Sequence, residues 1–191
     1  AHGPDDALDE LAEALNSAHD ELLALAEDSP ELAGLGTTVT ALLRSGNKLA
    51  MAHIGDSRAY LLRDGRLTQV TSDHSFVQHL VNTGKLTPEE AEHHPQRSVL
   101  LRVLGDFDVE IVPDLSVREA RPGDRWMLCS DGLSGVVSHD TLTETMVEAD
   151  DVDACADQLV ELALRGGAPD NVTVVVADVV EVDSLPDGAA P

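Results

Sequence analysis

The strongest constraint on this fold is a pair of tight turns set between short apolar runs. Residues 59–63 and 66–70 flank Asp64-Gly65, and Asp-Gly is the dipeptide that a twisted antiparallel hairpin selects. Residues 37–44 and 48–54 flank Ser45-Gly46-Asn47, which reads as a second hairpin. In chain order these runs predict a meander of antiparallel strands. Such a sheet buries one face and needs a second layer.

Helices supply candidates for that layer. Leu8, Leu11, Leu15, Ala18, Leu22 and Leu25 recur at helical spacing with Asp and Glu between them, so 5–28 reads as an amphipathic helix. Asp5 or Asp6 is its expected N-cap, and Ser29-Pro30 ends it before a loop over 34–36. Further helices are expected over 138–149 and 152–165, and further strands over 110–112, 115–120, 125–129 and 172–182. Residues 75–105 hold Gly84, Pro88 and Pro95 with two short helical stretches; an insertion of this length reads as a functional flap. Residues 184–191 read as a tail or linker. With 191 residues the chain is long enough for one domain with a sizeable core. Its aromatics are Tyr60, Phe76, Phe107 and Trp126, so that core must be aliphatic, and Trp126 is placed in it.

The charge excludes several functions. Asp and Glu number 36 against 12 Lys and Arg, a net charge of −24. A phosphate backbone would be repelled, which argues against nucleic acid, and an anionic membrane surface is disfavoured in the same way. No apolar run is long enough to span a bilayer. Cys129 falls in an apolar strand and Cys155 in a helix, without metal-ligand spacing or a disulfide framework, which points to the reducing cytoplasm.

Such a surface attracts cations, and three aspartates are placed to use them. They lie in Gly55-Asp56-Ser57-Arg58, Ser130-Asp131-Gly132 and Pro169-Asp170-Asn171. Asp56 and Asp131 end apolar strands and Asp170 begins one. In an antiparallel sheet the end of one strand lies beside the start of its neighbour, so the three carboxylates can meet on one rim. Oxygen ligands of this kind suit Mg²⁺ or Mn²⁺. Two such ions about 3.5–4 Å apart lower the pKa of a shared water and offset charge on a phosphoryl group. Each Asp taken singly is a turn former; their joint occurrence is what singles them out. Arg58 is read as ordering Asp56 through a salt bridge. Thr37 and Thr38 begin a strand. His53 and His74 are read as packed or structural histidines, with His79, His93 and His94 on the flap. Ser57 and Ser130 lack the Gly-x-Ser-x-Gly setting of a nucleophile.

Six segments taken together carry a resemblance. They are Gly36-Thr37-Thr38, His53-Ile54-Gly55-Asp56-Ser57-Arg58-Ala59-Tyr60, Thr71-Ser72-Asp73-His74-Ser75, His94-Pro95, Leu128-Cys129-Ser130-Asp131-Gly132-Leu133 and Gly167-Ala168-Pro169-Asp170-Asn171-Val172-Thr173. In order and separation they resemble the metal-dependent protein phosphatases (PPM, or type 2C), and the flap looks most like that of actinobacterial serine/threonine phosphatases that oppose bacterial kinases. The resemblance implies an α+β fold, an antiparallel β-sandwich flanked by helices in α-β-β-α layers. It implies hydrolysis of phosphoserine and phosphothreonine on proteins with two or three Mn²⁺ or Mg²⁺ ions. Asp131 and Asp170 match metal ligands of the family. Asp56 matches an acidic residue of a third metal site, for which Ser98 on the flap is a candidate partner. Gly132 and Asn171 match structural positions near the metals. Phosphorylated proteins, with serine/threonine kinases among them, are the implied partners.

The family's opening strands, with an Asp-Gly-x-Gly-Gly-His segment and a phosphate-binding Arg, find no match here, since Asp64-Gly65 and Asp187-Gly188 lack the further glycines. The chain therefore reads as a phosphatase domain over 1–183 without its first strands, holding none of the family's acid-base or phosphate-binding residues. The expectation for these residues in isolation is weak metal binding and weak activity. The alternative is a non-catalytic relative that binds a kinase or phosphoprotein as a regulatory module.

Overall fold

The computed structural model describes residues 3–105 and 111–181. The elements run α1 (Pro4–Asp28), a 3-10 turn (Pro30–Leu32), β1 (Val39–Ser45), β2 (Lys48–Ile54), β3 (Arg58–Arg63), β4 (Arg66–Gln69), α2 (Phe76–Asn82), α3 (Pro88–Glu92), β5 (Asp114–Glu119), β6 (Arg125–Cys129), α4 (Asp131–Ser134), α5 (His139–Glu148), α6 (Val152–Arg165) and β7 (Val174–Asp178). The strands form two antiparallel sheets, ordered β1-β2-β5 and β4-β3-β6-β7. Each sheet has helices against it, which gives the expected mixture of helix and antiparallel sheet.

The meander is therefore a correction. Both hairpins form, with Ser45 opposite Lys48 and Arg63 opposite Arg66. Asp64 and Gly65 take φ of 52° and 74°, the left-handed pair that a type I′ turn requires. Yet β2 pairs with β1 and β5, whereas β3 pairs with β4 and β6. The cause lies at Gly55, where φ is 107° and a β-carbon would collide with the Thr38 side chain. Only glycine makes that corner, and the corner takes the chain out of the first sheet instead of doubling it back.

The chain divides into two compact units. The first consists of the described parts of Ala1–Ser57 and Thr71–Glu119. Its core joins Leu15 of α1 to Ala52, Ile54 and Leu104, with Leu11, Leu22 and Val39 packed around them. Ala50 and Ala52 are wholly buried, and their small side chains leave room beside the long helix. The N-cap of α1 is Gly3, not Asp5 or Asp6; Asp6 sits one turn in and accepts the Gly3 N–H at 2.7 Å. Between β4 and β5 the chain makes the expected excursion with its two short helices. Ser75 caps α2 through the Gln78 N–H at 3.2 Å, and Thr87 and Glu90 cap α3 reciprocally at 2.8 and 3.2 Å. The strand expected over 110–112 begins outside the described residues, and 111–113 is not strand. The tail over 184–191 also lies outside them.

The second unit consists of the described parts of Arg58–Val70 and Ala120–Pro191. Tyr60, Leu67, Met127 and Cys129 on one face of its sheet pack with Leu133, Leu142, Met146, Cys155, Leu159 and Ala163 from α4, α5 and α6. Side-chain oxygens of Ser138 and Asp151 cap α5 and α6, at 3.2 and 2.7 Å. Trp126 is core, 2% exposed. The last strand is shorter than the Val-rich run suggests, Val174–Asp178 instead of 172–182, because its partner β6 begins only at Arg125, opposite Asp178.

Two arginine–carboxylate forks close the far end of this sheet. Arg63 grips Asp124 at 2.7 and 2.7 Å, and Arg125 grips Asp178 at 2.7 and 2.9 Å. Burial pushes the Asp124 carboxyl up, but the Arg63 fork and the Arg121 amide outweigh it and hold the group below the usual carboxylate range. Because Asp124 is 2% exposed, Arg63→Ala strands a buried charge. A loss of about 3 kcal/mol is expected, read as a lowered urea midpoint at pH 7 without a change in the denaturant slope.

Candidate metal centre

The end of β6 and the approach to β7 lie side by side and carry two of the three sequence-identified aspartates. Antiparallel pairing sets Cys129 opposite Val174. The ladder continues one step further, where the Ser130 N–H donates to the Thr173 carbonyl at 3.0 Å. The Ser130 hydroxyl then accepts the Thr173 N–H at 3.0 Å and donates to the Asn171 carbonyl at 3.2 Å. One serine thus ties the loop before β7 to the strand end from which Asp131 starts α4.

Gly132 allows the close crossing. A β-carbon there would collide with the Asn171 carbonyl oxygen, so the loop carrying Asp170 and Asn171 lies directly against buried Gly132. Asp131 and Asp170 are exposed on this rim. The Asp170 Oδ1 accepts the Asn171 N–H at 2.7 Å, which orients the carboxylate. Among the described residues neither aspartate has a Lys or Arg within ion-pair distance. Two uncompensated carboxylates on adjacent loops are a donor set of the right kind for a hard dication. They are also as many carboxylates as Mg²⁺ commonly takes from a protein, with waters and phosphate filling the remainder. Among the described residues no group of three or more His, Cys, Asp or Glu is placed to hold a metal.

The other candidates are distributed as follows. Asp56 belongs to the first unit and is half-buried behind Gly55. Its neighbour Ser57 is pinned by Thr38 at 2.8 Å, while the Thr40 hydroxyl meets the Ser57 carbonyl at 3.2 Å. Ser98 is exposed in a turn of the first unit. Arg58 opens β3 and donates to the Tyr60 hydroxyl at 3.2 Å. Both cysteines are buried free thiols, and burial pushes the Cys155 thiol up, away from nucleophilic use. A cavity of about 460 Å³ lies away from the carboxylate rim; Leu62, Arg125, Met146 and Asp178 line it at the other end of β6.

Both central histidines are structural, as the sequence suggests. His53 is wholly buried, with Nδ1 2.9 Å from the Thr40 hydroxyl and Nε2 3.1 Å from the Ser72 carbonyl. A carbonyl only accepts, so Nε2 carries the proton. Burial, helped by His74, holds His53 below its ordinary pKa. Sequence reasoning missed Ser130, which it weighed only as a nucleophile. Its position between a strand end and Asp-Gly was visible, but its role depends on the β6–β7 register.

Comparison with known proteins follows this geometry. Residues 2–165 match the family described as protein phosphatase 2C. The chain is 55% identical over 178 residues to the serine/threonine protein phosphatase PstP of Mycobacterium tuberculosis, covering 93% of this chain and 34% of that protein. It therefore spans about a third of that relative's length. A crystal structure of the M. tuberculosis phosphatase superposes with a TM-score of 0.86 at 53% identity, covering 91% of this chain and 73% of that one. A structure of the PstP catalytic domain in complex with two manganese ions gives 0.78 at 54% identity, covering 85% and 67%.

Two outcomes are expected. Gly132→Ala forces Asn171 away and costs about 1–3 kcal/mol, measurable by urea unfolding. Stability also falls with acidity. His53 is depressed in the fold, so the unfolded chain binds its proton more readily. That contribution is whole above the unfolded pKa near 6.5 and is lost as pH drops below it, with a slope of at most about 1.4 kcal/mol per pH unit. His53→Gln flattens the dependence between pH 7.5 and 5.5.

Proposed function

Because the chain belongs to the protein phosphatase 2C family, we propose that the protein hydrolyses phosphoserine and phosphothreonine on proteins with Mn²⁺ or Mg²⁺, two or three ions, and that Asp131 and Asp170 are ligands. The observation that supports this reading is the crossing at Gly132, which sets the loop of Asp170 and Asn171 against the start of α4, where Asp131 lies. When bound, such ions supply electrostatic stabilisation of the phosphoryl group and a water of lowered pKa.

The chain's own residues bind and orient. Asp131 and Asp170 supply hard oxygen donors. Ser130 fixes the Asn171 carbonyl and so the Asp170 loop, and the Asn171 N–H fixes the Asp170 carboxylate. Neither Ser130-Asp131-Gly132-Leu133 nor Pro169-Asp170-Asn171-Val172 carries a Lys or Arg, and the net charge is −24. A phosphorylated substrate therefore needs added cations to approach this rim. Asp56 is proposed as a ligand of a third site, with Ser98 from the flap as its partner. Arg58 is assigned to ordering the Asp56 corner. Phosphorylated proteins, serine/threonine kinases among them, are the proposed partners. No helix among the described residues is long and apolar enough to cross a membrane. A cytoplasmic site of action is supported by the two buried free thiols.

A regulatory module without catalysis is the second reading. It is favoured by the lack of a third His, Cys, Asp or Glu beside the pair among the described residues. One experiment separates the two. The full-length gene product is assayed on a phosphothreonine peptide with and without Mn²⁺, beside Asp131→Asn and Asp170→Asn, and Mn²⁺ binding is followed by calorimetry. Turnover should require the ion. Each variant should lose more than the roughly 10–100-fold that a mere supporting partner costs. Mn²⁺ affinity and turnover unchanged in both variants would remove the ligand assignment. Absence of turnover in the parent protein would favour the module.

A further inference from the structure

The excursion over 76–99 is closed at its base by a short ladder. Ser75 pairs with Leu100, the Phe76 N–H donates to the Val99 carbonyl at 2.9 Å, and the Leu101 N–H donates to the His74 carbonyl at 2.8 Å. His74 stands at that base. The His74 N–H donates to the Gly55 carbonyl at 2.8 Å, and its ring Nδ1 lies 3.2 Å from the Gly55 N–H. The Gly55 N–H only donates, so Nδ1 accepts and the ring proton sits on Nε2. That proton points at the Asp114 Oδ2, 3.0 Å away.

Sheet register explains the position of Asp114. Thr40, His53 and Asp114 are directly opposite one another across β1, β2 and β5, so their side chains share one face. The His74 ring stacks onto that face, its centroid 4.8 Å from the His53 ring. Arg102, just past the base, reaches the other Asp114 oxygen and the Val112 carbonyl, each at 3.4 Å. Its NH1 also lies 3.5 Å from the His74 Nε2. Both of those nitrogens are donors in this tautomer, so they meet through Asp114 and not through a bond of their own. The His74 side chain is 6% exposed, whereas Asp114 is 50% exposed.

We propose that His74 is the positioning residue of the flap, its imidazole locked between the Gly55 peptide and an Asp114–Arg102 pair that acts as an external latch. Both ring nitrogens are committed, so His74 moves no proton in the reaction. Its effect is to hold segment 76–99 in one orientation, for use on a polypeptide substrate and not on the phosphoryl group. This rests on the phosphatase reading for its functional arm and not for its structural arm.

The test uses the full-length protein with Asp114→Ala, which removes the acceptor, and Asp114→Asn, which keeps an oxygen for the His74 Nε2–H. In Asp114→Ala, amide exchange over 76–99 should accelerate by about tenfold while the amides of α1 and β2 keep their rates. The KM for a phosphothreonine peptide should rise by about the same factor. Its kcat, and hydrolysis of p-nitrophenyl phosphate, which has no flanking polypeptide, should stay within about twofold. Asp114→Asn should recover most of both changes. Unchanged exchange over 76–99, or acceleration spread evenly through the first unit, would overturn the proposal. A rise in KM that is equal for peptide and p-nitrophenyl phosphate would do the same. If no form of the protein turns over phosphopeptide, the functional reading fails and the exchange pattern alone decides the latch.

Discussion

The last rung between β6 and β7 is the contact on which the candidate site depends. Cys129 opposite Val174 is ordinary antiparallel pairing, but Ser130 extends it with its backbone and its hydroxyl together. A loop approaching a strand end leaves backbone groups short of partners, and each buried unpaired group costs about 1–3 kcal/mol. Ser130 satisfies the Thr173 N–H and the Asn171 carbonyl in one stroke. Gly132 makes the same approach sterically allowed. The two conditions are separate, one of bonding and one of volume, and both must hold before Asp131 and Asp170 share a rim.

The two ends of that strand pair are electrostatic opposites. At one end Arg125 commits four of its five N–H donors, two to Asp178 and two to the Met146 and Ala149 carbonyls that close α5. Arg63 forks onto Asp124. In a chain with 36 acids and 12 Lys and Arg, the Arg63 fork places a scarce cation on the buried Asp124 carboxylate. At the other end the carboxylates stay exposed and uncompensated among the described residues. Internal cations therefore serve the fold at one end, and any cation at the rim must come from solvent.

Legibility in the sequence followed the range of the interaction. The strands Lys48–Ile54 and Arg125–Cys129 and the helix Val152–Arg165 match their expected bounds, because apolar pattern, turn residues and the Asp151 cap are local. The α1 cap was displaced because Asp6 acts from the third helical position, reaching back to Gly3. The four-residue helix Asp131–Ser134 is too short to show a period. The meander failed because a hairpin reading carries no information on strands far apart in sequence. β2 finds β5 some 60 residues on, and nothing between them signals it. At the candidate site, the strand ends that carry Asp131 and Asp170 were legible from antiparallel logic. Ser130 was not, since a clasp has no meaning until register is known.

The Gly55 corner shows how one backbone requirement spreads through the first unit. With φ at 107° and Thr38 against it, this position admits no side chain. Its N–H and C=O would be orphaned by the departure from the sheet, and His74 takes both, one through its ring and one through its backbone. The next residues are held as firmly, with Thr38 and Thr40 on Ser57. Asp56 lies between these two anchorages, so its backbone is held on both sides. A residue fixed in this way keeps its position whether or not a ligand is present, and such preorganisation spares a binding site the cost of ordering its donors. The same His74 that completes the corner carries the base of the flap. Loss of the Nδ1 bond to Gly55 would loosen the Asp56 corner, whereas loss of the Asp114 contact at Nε2 leaves that bond in place.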